Sequence, residues 1–141
     1  MPDDVKACEA SSDPVATFAS WWSGEEVRAI LRRVTGEPAV AFADAQATAY
    51  APGDFLTGHD DAVADKGRIA AYVLGMTRQW RAEWGGLLLY HEADGMSAKA
   101  VLPGFNRLSL FAVPQLHSVS EVSRAAAYRR CSITGWLRRS A

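Results

Sequence analysis

Apolar residues recur three and four positions apart in two successive segments near the start of the chain, which is the spacing of one buried face on an α-helix. In the first segment Asp13-Pro14 has the form of an N-cap followed by proline in the first turn. Its apolar positions are Val15, Phe18, Ala19 and Trp22. In the second segment Ser23 and Glu26 have the spacing of a capping box, and Gly36 is placed to end the helix. Its apolar positions are Val27, Ile30, Leu31 and Val34. We therefore predict two short helices within residues 13–36.

After Glu37-Pro38 the pattern changes to short apolar or alternating runs, separated by Gly, Pro, Asp and Asn. Such runs are typical of β-strands joined by turns. Eight strands are predicted, at residues 45–50, 54–57, 68–76, 86–91, 99–102, 107–113, 117–122 and 128–137. The connections contain no crossover helices, which a parallel sheet would require. The pattern predicts a mainly β protein, a two-sheet jelly roll whose β core spans residues 45–138.

Composition places the chain among globular proteins. Its 141 residues are 49% hydrophobic and 22% charged, which is sufficient for one domain with its own core. Because 15 basic residues stand against 16 acidic ones, binding driven by nucleic-acid phosphates is not favoured. The polar segment 1–12 is predicted to be a flexible terminus, and residues 13–141 a single domain.

Neither a signal peptide nor a run of about 18 apolar residues is present, so we expect a soluble, cytoplasmic protein with no membrane partner. Cys8 and Cys131 lie far apart and form no C-x-x-C motif. We expect both to be reduced thiols.

The segment TGHDDA, residues 57–62, is the first to indicate chemistry. His59 and Asp61 are two positions apart, so on a strand both side chains leave the same face. Alone, such a pair is more often a turn or a surface hydrogen bond. His117, however, follows a strand-like run that carries it into the same sandwich. Two imidazoles and one carboxylate suit non-haem Fe(II) with open positions, and zinc is chemically compatible as well. His91 lies near an Asp-Gly turn and is expected in a solvated loop.

The last predicted strand has two unlike faces. Arg130, Ser132, Thr134 and Trp136 alternate with smaller apolar residues. A guanidinium inside a barrel is costly without an anionic partner. A bound dicarboxylate would provide one, since arginine pairs with carboxylates through two parallel hydrogen bonds and Ser132 or Thr134 can add a hydroxyl donor. The alternative interpretation is a surface charge on an edge strand.

Together these motifs resemble the Fe(II)- and 2-oxoglutarate-dependent oxygenases of the prolyl hydroxylase type, whose fold is a double-stranded β-helix. That family carries His-x-Asp, a distant His and a final strand reading roughly R-x-S-[IL]-x-G-W. The matching residues here are His59-Asp60-Asp61, His117 and the run from Arg130 to Trp136. Further similar segments are YAPGDFLTGHDD at 50–61, residues 80–89 with Gly85-Gly86, PGFNRLSLF at 103–111 and HSVSEV at 117–122. The resemblance covers about the last two-thirds of the chain and extends to the branch of ribosomal-protein prolyl hydroxylases and their bacterial relatives.

The resemblance implies that His59, Asp61 and His117 hold Fe(II) and that Arg130 pairs with the far carboxylate of 2-oxoglutarate. Tyr50 matches a family tyrosine near the metal. With O2 as oxidant, 2-oxoglutarate is converted to succinate and CO2, and ascorbate is an accessory reductant. The implied substrate is a prolyl residue in a protein or peptide.

A free amino acid or another small metabolite is the alternative substrate. Four aromatic residues are candidates for lining a groove suited to a proline ring or an extended peptide, although aromatic residues at such positions more often belong to the core: Trp80, Trp84, Tyr90 and Phe105. The loop between Thr57 and Arg68 is where we expect selectivity to arise.

The chain departs from the family pattern at two places. Many relatives end the strand after His-x-Asp with Tyr-Leu-Asn, and that tyrosine helps hold the far carboxylate; here Gly75 stands at its position. We therefore expect weaker co-substrate binding, or a site completed by Thr77, Ser132 or water. The region before residue 45 is also shorter than in relatives, which would leave a sheet edge exposed. A homodimer formed through that edge is one expectation.

Two rival functions remain. A non-catalytic jelly-roll domain could keep the metal site as a structural element, which Gly75 and the short N-terminal region favour. Retention of Arg130 argues against it, because a domain without turnover has no need of an arginine inside the barrel. A zinc-dependent hydrolase would require a general base near the metal and gives no reason for Arg130.

Overall fold

The computed structural model of the protein describes residues 13–139. Two helices come first, α1 (Pro14–Trp22) and α2 (Glu25–Thr35). The strands that follow are β1 (Phe42–Ala43), β2 (Gln46–Tyr50), β3 (Leu56–His59), β4 (Arg68–Met76), β5 (Leu88–His91), β6 (Ala98–Val101), β7 (Phe105–Ala112), β8 (His117–Val119) and β9 (Arg130–Arg138). A single 3₁₀ turn, Ala82–Trp84, lies between β4 and β5. The predicted flexible segment 1–12, with Cys8, lies outside the described residues.

The strands form two antiparallel sheets that face each other. The larger has the order β1-β9-β4-β7, with β2 also paired to β9, and the smaller has the order β3-β8-β5-β6. From β2 onward the chain passes repeatedly between the sheets. Phe111 of β7 contacts both Tyr90 of β5 and His117 of β8, with ring centroids 5.1 and 4.7 Å apart, so its side of β7 faces the interior. The predicted jelly roll, or double-stranded β-helix, is confirmed.

The outer face of the larger sheet carries the main hydrophobic core, beneath the two helices. Trp22 of α1 packs against Tyr72 of β4, with ring centroids 5.3 Å apart, and Leu137 of β9 is fully buried in the same cluster. Of the apolar stripe predicted on α2, Val27 and Leu31 are buried, whereas two members are exposed: Ile30 at 55% and Val34 at 67%. The predicted stripe is therefore only half buried.

The ends of the helices are partly as predicted. Asp13 caps α1 by accepting a hydrogen bond of 2.9 Å from the backbone N–H of Val15, and Gly36 ends α2 in the left-handed conformation. The capping box at Ser23 is wrong, because α2 begins after Gly24. The Ser23 hydroxyl instead donates to the carbonyl of Ala43 and accepts from its N–H, at 2.6 and 3.2 Å. It thereby fixes the turn between the helices to β1.

Strand β4 has the predicted bounds, and most other strands differ from prediction by one or two residues at an end. Strand β1 was not predicted, because a two-residue strand leaves no pattern and is defined by its pairing with β9. Strand β8 ends at Val119 rather than at residue 122, although Val122 forms an isolated bridge with Gly85.

Strand β7 is an edge of the larger sheet, and its Phe105 and Leu108 are exposed. The homodimer through a sheet edge stays a prediction. Within residues 13–139, no helix has the length and apolar character needed to cross a membrane.

Candidate active site

The smaller sheet brings the two candidate histidines together. His59 ends β3 and His117 begins β8, and the two residues are direct partners in the antiparallel register. Their rings lie 4.2 Å apart between centroids. Because the pairing joins segments far apart in sequence, it is a consequence of the jelly-roll topology and not of local pattern.

Asp61 reaches the histidines by a turn rather than by strand alternation. Strand β3 ends at His59, and Asp61 follows in the left-handed conformation at a φ of 63°. The prediction that both side chains leave one strand face is therefore wrong, although they do converge. Nη1 of Arg68 donates a hydrogen bond of 3.0 Å to the carbonyl of Asp61, which holds the backbone of this turn.

His59, Asp61 and His117 form a cluster whose ligand atoms all lie within 4.8 Å of one another. Nε2 of His59 is 3.3 Å from one carboxylate oxygen of Asp61, and Nε2 of His117 is 3.3 Å from the other. Nδ1 of His59 lies 2.9 Å from the carbonyl of Thr57, and Nδ1 of His117 lies 2.7 Å from the carbonyl of Gln115. A carbonyl can only accept, so we assign the proton of each neutral ring to Nδ1.

This tautomer turns both Nε2 lone pairs toward the carboxylate. Lone pairs and a carboxylate repel one another at these distances unless a cation lies among them. Two neutral imidazoles and one carboxylate leave open positions on a divalent ion, and that donor set fits Fe(II). The side chains of Asp61 and His117 are 6% and 7% exposed, whereas that of His59 is 35% exposed. The cluster is therefore open on the His59 side.

Arg130 lies at the start of β9 with its side chain inside the barrel, and it is only 5% exposed. Its Nε donates to the carbonyl of Gly86 at 2.7 Å, and its Nη1 donates to the Ser132 hydroxyl at 3.4 Å. The guanidinium carbon lies 5.4 Å from the centroid of the Tyr50 ring. Ser132 also shares a hydrogen bond of 2.8 Å with the Thr48 hydroxyl of β2.

The charge of Arg130 has no counter-ion among residues 13–139, where no carboxylate lies within ion-pair distance of it. Burial lowers the pKa of the Arg130 guanidinium, because the charged form is disfavoured away from water. A buried cation without a counter-ion is costly, and its chemistry suits the binding of an anion. The alternative of a surface charge on an edge strand is wrong, since Arg130 is buried and β9 lies between β2 and β4.

A pocket adjoins Arg130 at the end of the barrel where β4 finishes. It is lined by β-strand residues and by the segment that precedes β7. The lining includes Val73, Gly75, Leu88, Gly104, Arg107, Ser109, Arg130 and Ser132. Two of these residues, Arg130 and Ser132, are among the predicted co-substrate ligands.

Thr77 is not in that pocket. Its hydroxyl donates to the carbonyl of Cys131 at 3.0 Å and accepts from the N–H of Cys131 at 2.9 Å. These bonds join the residue after β4 to β9, just beyond the last backbone pair of the two strands, Gly75 and Ser132. The structure thus gives Thr77 a structural role, and Ser132 is the predicted substitute for the missing tyrosine that does approach Arg130.

Gly75 leaves no space for a side chain. A Cβ atom built on it would overlap the carbonyl oxygen of Gly104. The backbone before β7 therefore occupies the volume beside position 75.

Gly85 and Gly86 were noted in the sequence, but their role was not predicted. Both have positive φ angles, 67° and 62°, and Gly86 uses this conformation to aim its carbonyl at Arg130. A Cβ atom on Gly86 would lie 3.0 Å from Cδ of Arg130 and 3.3 Å from the Trp80 ring. Two consecutive glycines before a strand were the only signal for this contact.

The four aromatic candidates do not line one groove. Trp80 and Trp84 meet edge to face at 5.4 Å, and Tyr90 packs on Phe111. Phe105 is exposed beneath the guanidinium of Arg78, at 5.2 Å.

The expectation of a solvated loop at His91 is also wrong. His91 is the last residue of β5 and is half-buried, and its Nε2 lies 2.7 Å from the hydroxyl of Ser118.

Comparisons with known proteins agree with this geometry. The mouse (Mus musculus) protein named prolyl 3-hydroxylase OGFOD1 is 32% identical over 119 residues, which are 79% of this chain and 21% of the mouse protein. The chain thus spans about a fifth of that relative's length.

Among solved structures, a prolyl-4-hydroxylase from Pseudomonas putida superposes with a TM-score of 0.73 at 24% identity, over 92% of this chain and 69% of that one. A prolyl hydroxylase from Trichoplax adhaerens, solved with a peptide of hypoxia-inducible factor, gives 0.57 at 23% identity, over 68% of this chain and 43% of that one. At these identities the two structures establish the fold.

The family model of the 2OG-Fe(II) oxygenase superfamily matches residues 45–138, which contain the His59, Asp61 and His117 cluster together with Arg130. The chain belongs to the 2OG-Fe(II) oxygenase superfamily.

Proposed function

We propose that this protein is an Fe(II)- and 2-oxoglutarate-dependent dioxygenase that hydroxylates a prolyl residue in a protein or peptide. The observation that carries the oxygenase assignment is Arg130, a buried cation without a counter-ion in the same barrel as the His–Asp–His cluster. The prolyl part is supported by the name of the mouse relative, which is 32% identical over 79% of this chain.

Fe(II) would be held by Nε2 of His59, Nε2 of His117 and a carboxylate oxygen of Asp61. When bound, iron and 2-oxoglutarate supply the oxidising chemistry, in which 2-oxoglutarate is decarboxylated to succinate and CO2 while O2 provides the hydroxyl oxygen. The carbonyls of Thr57 and Gln115 keep each ring in the metal-binding tautomer.

Arg130 would bind the far carboxylate of 2-oxoglutarate. Its Nε is already engaged by Gly86, which fixes the plane of the guanidinium, and Ser132 adds a hydroxyl on the same side. Tyr50 covers the guanidinium and limits its contact with water. Charge-assisted hydrogen bonds formed in such a setting are stronger than those in water.

The substrate would approach on the His59 side, since His59 is the exposed member of the cluster. On the other side the Phe111 ring packs edge-on against His117, with 4.7 Å between the ring centroids. A side chain of a peptide could thus reach the metal while the peptide backbone stays at the surface.

The test supplies the protein with Fe(II), 2-oxoglutarate, ascorbate and isotopically labelled O2, and offers either prolyl peptides from ribosomal proteins or free proline. The expected result is a peptide that gains one labelled oxygen atom on proline, with succinate formed in equal amount. The control is the same peptide with alanine in place of the proline.

Three other outcomes are distinguishable. Hydroxylation of free proline or another small metabolite alone would overturn the peptide assignment and leave the oxygenase assignment intact. If the protein binds 2-oxoglutarate but forms no succinate with any substrate offered, the non-catalytic binding domain is favoured. Failure of the metal-loaded protein to bind 2-oxoglutarate would contradict the proposal as a whole.

A further inference from the structure

Three neighbouring strands of the larger sheet place Ser132, Gly75 and Arg107 in one row. In the antiparallel register Gly75 of β4 is the partner of Ser132 on β9 and of Arg107 on β7. Direct cross-strand partners share a face of the sheet, and adjacent strands lie about 4.8 Å apart. Arg107 and Ser132 therefore flank a position that has no side chain.

This row faces the interior of the barrel. Arg107 and Ser109 alternate along β7 with Phe111, whose ring contacts His117 on the opposite sheet. On β9, Ser132 shares its face with Arg130, two residues earlier. Arg107 and Arg130 consequently border the same pocket, from the two sides of Gly75.

The side chain of Arg107 runs along the backbone of Gly104. Its Cβ and Cδ atoms would each lie 3.6 Å from a Cβ atom built on Gly104. That segment also covers Gly75, since the Gly104 carbonyl occupies the place of a Gly75 side chain. The row thus has backbone at its centre, Arg107 at one flank and Ser132 at the other, and Arg107, unlike Arg130, is largely exposed.

The pocket lining contains two arginines, Arg107 and Arg130. Within residues 13–139, neither Arg107 nor Arg130 forms an ion pair with a carboxylate. A guanidinium that has no carboxylate partner is available to an anionic ligand. Tyr90 is also close: its hydroxyl bonds the Ser109 side chain, and Arg107 lowers the pKa of Tyr90 while burial raises it, with burial the larger effect.

We propose that Arg107 is a specificity-determining residue of the co-substrate pocket, where together with Arg130 it binds the far carboxylate of a 2-oxo dicarboxylic acid. This inference rests on the proposed function. Arg107 provides, from β7, the second contact that a side chain at position 75 cannot provide. The pocket therefore selects dicarboxylic 2-oxo acids over monocarboxylic ones of the same length.

The test compares wild-type protein with Arg107→Gln and uses Arg33→Gln as the control. Arg33 is an exposed arginine of α2, remote from the barrel interior, so the control removes the same charge from the surface. Each Fe(II)-loaded protein is titrated without oxygen with 2-oxoglutarate and with 2-oxopentanoate, which lacks the far carboxylate. The readout is the dissociation constant (Kd) from the charge-transfer band of the chelated 2-oxo acid.

We expect Arg107→Gln to raise the Kd for 2-oxoglutarate about tenfold, because the variant loses one partly exposed charge-assisted hydrogen bond to the far carboxylate. The Kd for 2-oxopentanoate should stay within twofold of wild type, and Arg33→Gln should change neither constant. An unchanged affinity for 2-oxoglutarate, or equal losses for both acids, overturns the role of Arg107 and leaves the proposed function standing. A wild-type protein that binds neither acid contradicts the proposed function and this inference with it.

Discussion

The Nε atom of Arg130 donates a hydrogen bond of 2.7 Å to the carbonyl oxygen of Gly86, and this contact joins the first residue of β9 to the segment before β5. With Nη1 directed at the Ser132 hydroxyl, Nη2 is the guanidinium nitrogen left for an anion. Because Gly86 holds a φ of 62°, the orientation of the buried charge depends on a backbone conformation that glycine adopts readily and other residues rarely do.

Replacing Gly86 by alanine should disturb Arg130 directly. The added Cβ atom would lie 3.0 Å from Cδ of Arg130 and 3.2 Å from a Val122 methyl group, so the guanidinium must shift. We expect the Kd for 2-oxoglutarate to rise at least tenfold, with metal binding retained. Anaerobic titration of the Fe(II)-loaded variant measures this.

Gly95→Ala is the matched control for that change. Gly95 has a similar φ of 68°, but a Cβ atom there would meet nothing within 4 Å. The two variants share a backbone cost of about 1 kcal/mol and differ in the contact with Arg130. Equal 2-oxoglutarate affinities in both would show that Gly86 does not position Arg130.

Asp61→Ala should abolish retention of Fe(II), because Asp61 is the carboxylate that both Nε2 atoms face at 3.3 Å. His59→Ala should have the same effect. His91→Ala is the control, since His91 bonds Ser118 and is not a member of the cluster. Metal content after dialysis, read by elemental analysis, distinguishes them. Wild-type iron content in Asp61→Ala would refute the assignment of the metal ligands.

Arg130→Met should spare metal binding and remove the response to 2-oxoglutarate. Ligand binding stabilises a folded protein by about 2.7 kcal/mol when the ligand is present at a hundredfold excess over its Kd. With a redox-inert divalent metal, 2-oxoglutarate should therefore raise the unfolding temperature of wild type and leave that of Arg130→Met unchanged. A normal shift in the variant would mean that the carboxylate binds elsewhere.

Gly75→Tyr tests whether the family tyrosine can be restored. The side chain would have to displace the Gly104 carbonyl, so we expect a loss of stability of roughly 1–3 kcal/mol and no gain in 2-oxoglutarate affinity. Denaturant unfolding and the anaerobic titration measure the two effects. Gly104→Ala, where a Cβ atom makes only 3.6 Å contacts, is the control for altering this segment. A stable Gly75→Tyr variant that binds 2-oxoglutarate more tightly would show that the Gly104 carbonyl does not block a side chain at position 75.

Features of the fold that rest on neighbouring residues were predicted well. Asp13 and Gly36 cap helices by contacts within a few residues, and the apolar run of β4 gave its bounds from Arg68 to Met76. The ligand residues His59, Asp61 and His117 were also identified, because their residue types and order carry a chemical meaning that survives without coordinates.

Tertiary structure alone decided how those residues are used. Ser23 fails as a cap because β1 offers its hydroxyl two backbone partners, and the Thr77 hydroxyl bonds the backbone of Cys131 instead of lining the pocket beside Arg130. The row of Arg107, Gly75 and Ser132 exists only through the register of three strands. The sequence by itself determined the fold class and the chemistry of the cluster, since both follow from residue type and local periodicity. The partners of each polar group were decided by strand pairing, which joins residues that no local pattern relates.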